Sequence, residues 1–252
     1  MRRELELFFT ALMFFTRLPI PEIEYSQEKL NASSRYFPLV GILVGALSAI
    51  AFMFASLVFP IKIAILISML ASILITGAFH EDGFADTCDG FGGGYTKEKI
   101  LEIMQDSRIG TFGTVGLVLI LGIKFILLSE IPAMIIPVAI ISGHAISRLM
   151  SISLLYSMVY VKPEGKAKPL STALPLASLL IASVFGLVPL LLFKKYYILL
   201  SLIPLLLTRS YLSYYFRKHI GGYTGDCLGA AQQVTEVVFY IFVYLFAQWK
   251  FI

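Results

Sequence analysis

Residues 35–60 read RYFPLVGILVGALSAIAFMFASLVFP, and from Tyr36 to Pro60 not one side chain is charged. About 20 such residues, rising about 1.5 Å each as a helix, cross a hydrocarbon core of about 30 Å. The same test applied outward finds an uncharged run at 169–193 and a shorter one at 63–79, where Lys62 can snorkel to the interface. Four more runs each carry one or two ionisable groups: 109–129 (Lys124), 131 to about 155 (His144, Arg148), 196–216 (Arg209) and 227–249 (Glu236). The composition agrees, with 58% apolar and 14% charged residues over 252 positions, against roughly 45–50% and about 25% in soluble domains. A soluble globule is excluded. The expected fold is all-α: one polytopic transmembrane bundle over residues 1–252 with about seven spanning helices.

The N-terminal MRRELELFFTALMFFTRLPIP resembles a signal peptide in its basic start. Glu4 and Glu6 interrupt it, however, and Thr16, Arg17, Leu18 and Pro19 stand where small cleavage-site residues belong. It is expected to stay in the mature chain as an interfacial or re-entrant helix over about residues 5–20. Seven crossings put segments 21–35, 80–108, 156–168 and 217–226 on one side of the membrane. Lys29, Arg35, Lys97, Lys99, Arg108, Lys162, Lys166, Lys168, Arg217 and Lys218 lie there, against Lys62, Lys194, Lys195 and Lys250 opposite. The positive-inside rule makes the richer side cytoplasmic, which sets aside the glycosylation-like Asn31-Ala32-Ser33. The two cysteines, Cys88 and Cys227, form no CxxC pair and read as packing residues, and His80 and His144 lack a zinc constellation. The lipid bilayer is an expected partner and nucleic acid is not.

The densest polar stretch is HEDGFADTCDGFGGGYTKEKILEIMQDSRIGTFG, residues 80–113. On a helix continuing out of the third hydrophobic segment, Asp82, Asp86 and Asp89 share one face at i, i+4 and i+7. Three carboxylates there repel one another and ask for a cation. Hard oxygen donors suit Mg²⁺, which typically takes one or two carboxylates together with substrate phosphate oxygens. A solvated helix end with incidental acids is the plainer alternative. Gly90, Gly92, Gly93 and Gly94 are expected to end the helix and free backbone N–H groups to approach a phosphate. Residues 97–105 read as a short amphipathic helix capped by Thr96. Asp106, Ser107 and Arg108 close it, Arg108 serving either as a phosphate clamp or as a positive-inside anchor.

A second polar cluster, HIGGYTGDCLGA at residues 219–230, enters the last span. Thr224 or Asp226 can cap that helix. Asp226 can equally be a further metal ligand or a base, since the topology puts it on the side of the Asp82 cluster. Glu236 lies about 15 Å deeper at 1.5 Å per residue, where a charge needs a partner such as Arg209 or Lys124.

FHEDGFADTCDGFGGG, LEIMQDSRIGTFG and GGYTGDCLGAA, in that order, resemble the cobalamin synthase (adenosylcobinamide-GDP ribazoletransferase) family, and the likeness extends to FFTRLPIP at 14–21, RYFPLVGILVG at 35–45 and the total length. Glu81 departs from it, standing where many members carry an apolar residue. The resemblance implies an integral, Mg²⁺-dependent transferase of the cell membrane. It would join α-ribazole or its 5′-phosphate to adenosylcobinamide-GDP, giving adenosylcobalamin or its 5′-phosphate and GMP. Carried onto this chain, it implies Asp82, Asp86 and Asp89 at the metal, Asp89, Asp226 and Arg108 in catalysis, and Arg17, Gly92, Gly93, Asp106 and Thr224 at the substrates. Such attack on a pyrophosphate needs charge neutralisation and positioning more than covalent help.

Two other readings fit part of the pattern. CDP-alcohol phosphotransferases also place an Asp-rich DGxxA motif at a membrane helix end, but Asp86 stands where that motif has arginine and the Gly-x₃-Asp-x₃-Asp continuation is missing. A cation transporter could relay ions through Asp82, Asp86, Asp89 and Glu236, but transporters favour midplane sites and repeated halves, and the acids here gather at one surface.

Overall fold

The computed structural model describes residues 2–161 and 174–249. Its helices, in chain order, are α1 (Arg2–Phe15), α2 (Gln27–Ser33), α3 (Phe37–Ser56), α4 (Ile61–Thr76), α5 (Phe79–Gly93), α6 (Lys97–Ile103), α7 (Thr111–Glu130), α8 (Ile136–Ser157), α9 (Leu176–Leu187), α10 (Leu202–Ile220) and α11 (Gly225–Gln248). Tight 3₁₀ segments at Val188–Phe193 and Tyr196–Ser201 complete the hairpin between α9 and α10, where Pro189 and Pro204 prevent a regular α-helix. Among the described residues the only strand-like pairing is one bridge, Tyr160 with Tyr223.

Six helical stretches are long and apolar enough to cross a bilayer, and the bent pair α4–α5 supplies a seventh. The chain is therefore a polytopic helical membrane protein, as the hydrophobic runs predict. Leucines, valines and phenylalanines such as Phe54, Leu70, Val118, Leu180 and Leu207 are more than half exposed on its flanks, a surface suited to lipid and not to water. The start of the expected 169–193 span, together with Lys162, Lys166, Lys168 and Lys250, lies outside the described residues.

At fourteen residues α1 is too short to cross. It buries Leu7, Ala11, Leu12 and Phe15 against the bundle and is tied to its neighbour by Lys29 with Glu6 at 3.5 Å and Tyr36 with Glu4 at 2.6 Å. The best-packed span is α8, buried along most of its length. Gly41 and Gly45, one turn apart on α3, let its backbone approach: a side-chain carbon at Gly45 would lie 2.8 Å from Ile141 Cα, and one at Gly41 would collide with the His144 carbonyl. Between helices in lipid, where no hydrophobic force separates one partner from another, this close packing of small residues supplies the contact energy.

The third hydrophobic segment departs from expectation. The helix does not continue straight into the acidic stretch: Gly77 and Ala78 both adopt left-handed conformations, φ 66° and 59°, and α5 leaves at 88° to α4. Gly77 is the αL cap that ends α4. Arg17 seals the corner, its N–H donating to the Ile75 carbonyl at 2.7 Å and its guanidinium lying where a Gly77 side chain would be. A cation there also meets the negative end of the α4 dipole.

Candidate active site

After the right-angle turn, α5 is held in a slot between α7 and α11. On one side a carbon added at Gly83 would lie 3.0 Å from Asp226 Cα, and one at Gly229 would lie 3.0 Å from the His80 carbonyl oxygen. On the other, Gly113 and Gly116 of α7 bring its first turns against Ala85, Cys88 and Asp89. Phe91 stacks on Phe216 of α10 at 5.7 Å and fixes the far end. At 100° per residue these contacts occupy both flanks of α5. Asp82 and Asp86 remain on the face between the N-termini of α7 and α11. Asp82 is exposed and Asp86 half-buried.

Asp89 has a different setting. It is buried, and its carboxylate accepts from Gly110 N–H at 2.7 Å and Gly113 N–H at 2.8 Å. It thus caps α7 from a neighbouring helix, in place of a side chain on α7's own N-cap residue Gly110. Among the described residues no three His, Cys, Asp or Glu side chains form a ready metal cage. Asp82 and Asp86, one turn apart, are an oxygen pair of the kind that holds an ion completed by phosphate oxygens.

Gly92 and Gly93 do not open a loop. The helix runs through Gly93, Gly94 N–H bonds back to the Gly90 carbonyl at 2.9 Å, and Gly92 lies under the Phe112 ring. Glycine there serves close packing, which holds those N–H groups inside the helix and away from a phosphate. In the α6–α7 loop, Asp106 takes the exposed Arg108 guanidinium in a fork, with contacts at 2.7, 3.0 and 3.2 Å, and accepts its backbone N–H at 3.0 Å. Hydrogen bonds from Arg108 hold the Asp106 carboxyl at about 2. Arg17 is exposed at the α4–α5 corner, on the same end of the bundle.

The second cluster joins the first. Thr224, and not Asp226, is the N-cap of α11, accepting from Cys227 N–H at 3.2 Å. Asp226 sits in the first turn, where the helix dipole favours its charge. The preceding turn is pinned by Tyr223 N–H to the Val159 carbonyl at 2.9 Å and Val161 N–H to the Tyr223 carbonyl at 3.0 Å. Segments 80–110, 158–161 and 217–226 therefore meet at one end of the bundle.

Deeper in the bundle the charges are paired. Glu236 accepts from Lys124 at 3.0 Å, Gln232 at 2.7 Å and Tyr240 at 2.9 Å. Gln233 accepts from Lys124 at 2.6 Å and donates to Glu81 at 3.0 Å. Lys124 is thus the partner of Glu236, whereas Arg209 donates to Ser153 and Ser157. Glu81 turns inward, away from the acid face.

The model of the cobalamin-5-phosphate synthase family matches residues 7–244, which takes in both polar clusters and all but the last turn of the final span. The chain belongs to that family. It is 45% identical over 251 residues to the adenosylcobinamide-GDP ribazoletransferase of Shewanella amazonensis, covering 97% of this chain and 96% of that one. It is 47% identical over 248 residues to the enzyme of the same name from Shewanella frigidimarina, covering 96% and 95%, and 46% identical over 242 residues to that of Ralstonia pickettii, covering 94% of each. No solved structure matches it. Like the relatives so named, this cobalamin-5-phosphate synthase family member is a transferase.

Sequence reasoning missed one group near this site. Arg148 of α8, by sequence one ionisable group within a span, is 2% exposed and lines a cavity beside the turn at Gly225. Its distance in sequence from both clusters hid it; the available signal was the cost of an arginine inside an apolar run.

Proposed function

We propose that this protein joins α-ribazole, or its 5′-phosphate, to adenosylcobinamide-GDP with release of GMP, in the cell membrane, from a site facing the cytoplasm. The carrying observation is the backbone contact of Gly83 with Asp226, which sets the aspartate of the GYTGD turn beside the Asp82–Asp86 face. Both clusters thereby lie at one end of the bundle, beside two helix N-termini that favour an anion. The cytoplasmic assignment rests on Lys29, Arg35, Lys97, Lys99, Arg108, Arg217 and Lys218, all in segments joined to that end.

In the reaction a ribose hydroxyl oxygen bonds to the corrinoid-side phosphorus of the pyrophosphate, the bond from that phosphorus to the bridging oxygen breaks, and GMP leaves with the electron pair. Asp226 would accept the hydroxyl proton. Asp82 and Asp86 would hold Mg²⁺, whose chemistry is neutralisation of phosphate charge. Arg108, oriented by Asp106, offers its remaining donors to a phosphate oxygen, and Asp89 fixes the start of α7 behind the acid pair.

The test is protein purified in detergent, given adenosylcobinamide-GDP, α-ribazole and Mg²⁺, with chromatography for the corrin product and GMP. Both products are expected, EDTA should abolish them, and Mg²⁺ or Mn²⁺ should restore them. Absence of GMP release with all components present defeats the assignment.

A further inference from the structure

Between α1, α5, α8 and the first turn of α11 lies a partly enclosed cavity, lined among others by Phe14, Phe15, Phe37, Phe79 and Ile152. Its walls are aromatic. Phe15 meets Phe37 edge to face at 4.1 Å and stacks on His80 at 5.4 Å, while Tyr160 meets Tyr223 edge to face at 5.6 Å. Gly225 lines the same cavity, next in sequence to Asp226.

Arg148 brings a guanidinium to that wall, beside Ser151 and the two tyrosines. One terminal nitrogen is held by His144, through the ring Nδ1 at 3.1 Å and the carbonyl at 2.9 Å. Its Nε–H is buried and has no hydrogen-bond partner among the described residues. A buried guanidinium donor left unmatched is costly, and that cost is recovered when a ligand supplies an acceptor.

We infer that the cavity receives the planar azole base of the incoming nucleoside, with Arg148 Nε donating to the ring nitrogen that the sugar leaves unsubstituted. The assignment rests on the transfer reaction proposed above. An N-linked benzimidazole-type base has flat apolar faces and one in-plane lone pair, which matches the aromatic walls and the unmatched Arg148 donor. Guanine does not match, since its amide and amino groups would be stranded against phenyl rings. The base seated at Arg148 leaves its ribose towards Gly225 and Asp226, where the hydroxyl must react.

The experiment varies the ligand first. The α-ribosides of benzimidazole and of indole have the same outline, but indole replaces the acceptor nitrogen with C–H. Wild-type enzyme should use the benzimidazole riboside with kcat/KM about 10- to 100-fold higher, the range expected for a hydrogen bond to a charged group. Arg148→Met should reduce that ratio to about threefold or less, with KM for adenosylcobinamide-GDP within twofold of wild type. Ile152→Phe, which fills the cavity from a neighbouring wall position, should raise KM for the nucleoside at least tenfold and leave the other KM alone. Equal use of both ribosides by wild type overturns the inference, as does a rise confined to the adenosylcobinamide-GDP KM in Ile152→Phe. If wild type releases no GMP with either riboside, the reaction itself is misassigned. Direct calorimetric binding of the two ribosides, which needs no turnover, then still decides the cavity: preference for benzimidazole supports it and equal binding refutes it.

Discussion

The protein keeps two groups of carboxylates only a few turns apart, and it treats them in opposite ways. Glu236 has both oxygens engaged by Lys124, Gln232 and Tyr240 inside the bundle. Asp82 stands exposed on a helix face whose flanks are filled by α7 and α11. A charge held by three donors inside the bundle contributes to specifying the fold, whereas one exposed at its surface is available to a ligand. Asp89 shows that one helix face can hold both kinds: seven residues from Asp82, it is committed to two N–H groups of α7.

The sharpest test of that contrast is to neutralise acids of each kind. Asp82→Asn, Asp86→Asn and Asp226→Asn should each lower GMP release by at least about 10²-fold, equivalent to about 2.7 kcal/mol, while melting in detergent stays at the wild-type temperature. For Asp226 this follows because Thr224 already caps α11. Near-normal turnover in any of the three removes that residue from the active face. Glu236→Gln should do the reverse. It leaves Lys124 buried and unpaired, at a cost of about 3–5 kcal/mol, so the melting temperature should fall while turnover per folded molecule changes only a few-fold. Adding Lys124→Met should recover part of the lost stability.

Asp89→Asn separates the two groups within one helix. Asn retains one acceptor oxygen, so a loss of about 1–2 kcal/mol in stability is expected, with folded enzyme still active. A collapse of turnover without loss of stability would return Asp89 to the active face. The smallest effect belongs to Arg108. With its forked partner holding Asp106 at about 2, that carboxyl is depressed on folding. Its contribution is present above the ordinary carboxylate range and fades only as pH falls toward 2. An acid limb above pH 4 in the rate profile must then come from other groups, and it should persist in Asp106→Asn. Arg108→Lys, which gives up the fork, should raise KM for the pyrophosphate substrate by roughly tenfold or less, as expected for one charge-assisted bond.

The spans and the side on which the polar segments gather were legible in the sequence because both depend on run length and charge, which are local. Pairing of Glu236 with Lys124 was half legible: depth demanded a cation, but only packing could choose between Lys124 and Arg209. The corner at Gly77 was not readable, since Gly77-Ala78 within an apolar run looks like continuing helix and Ala78 gives no hint of φ 59°. The Gly90–Gly94 run misled for a related reason. Glycine signals either an open loop or a close neighbour, and the neighbour, Phe112, lies on another helix.

The glycine seam between α5 and α11 also fixes an order of events during biosynthesis. Asp82, Asp86 and Asp89 emerge early from the ribosome, whereas the surface that seats their helix belongs to the last of the described helices. Until α11 is inserted, Gly83 lacks its Asp226 neighbour, although Arg17, Phe15 of α1, α7 and Phe216 of α10 already hold the α4–α5 elbow and the far end of α5. A nascent chain stalled before Gly225 would carry the acids without Asp226 beside them, so competence arrives in one late step when synthesis reaches the C-terminal span.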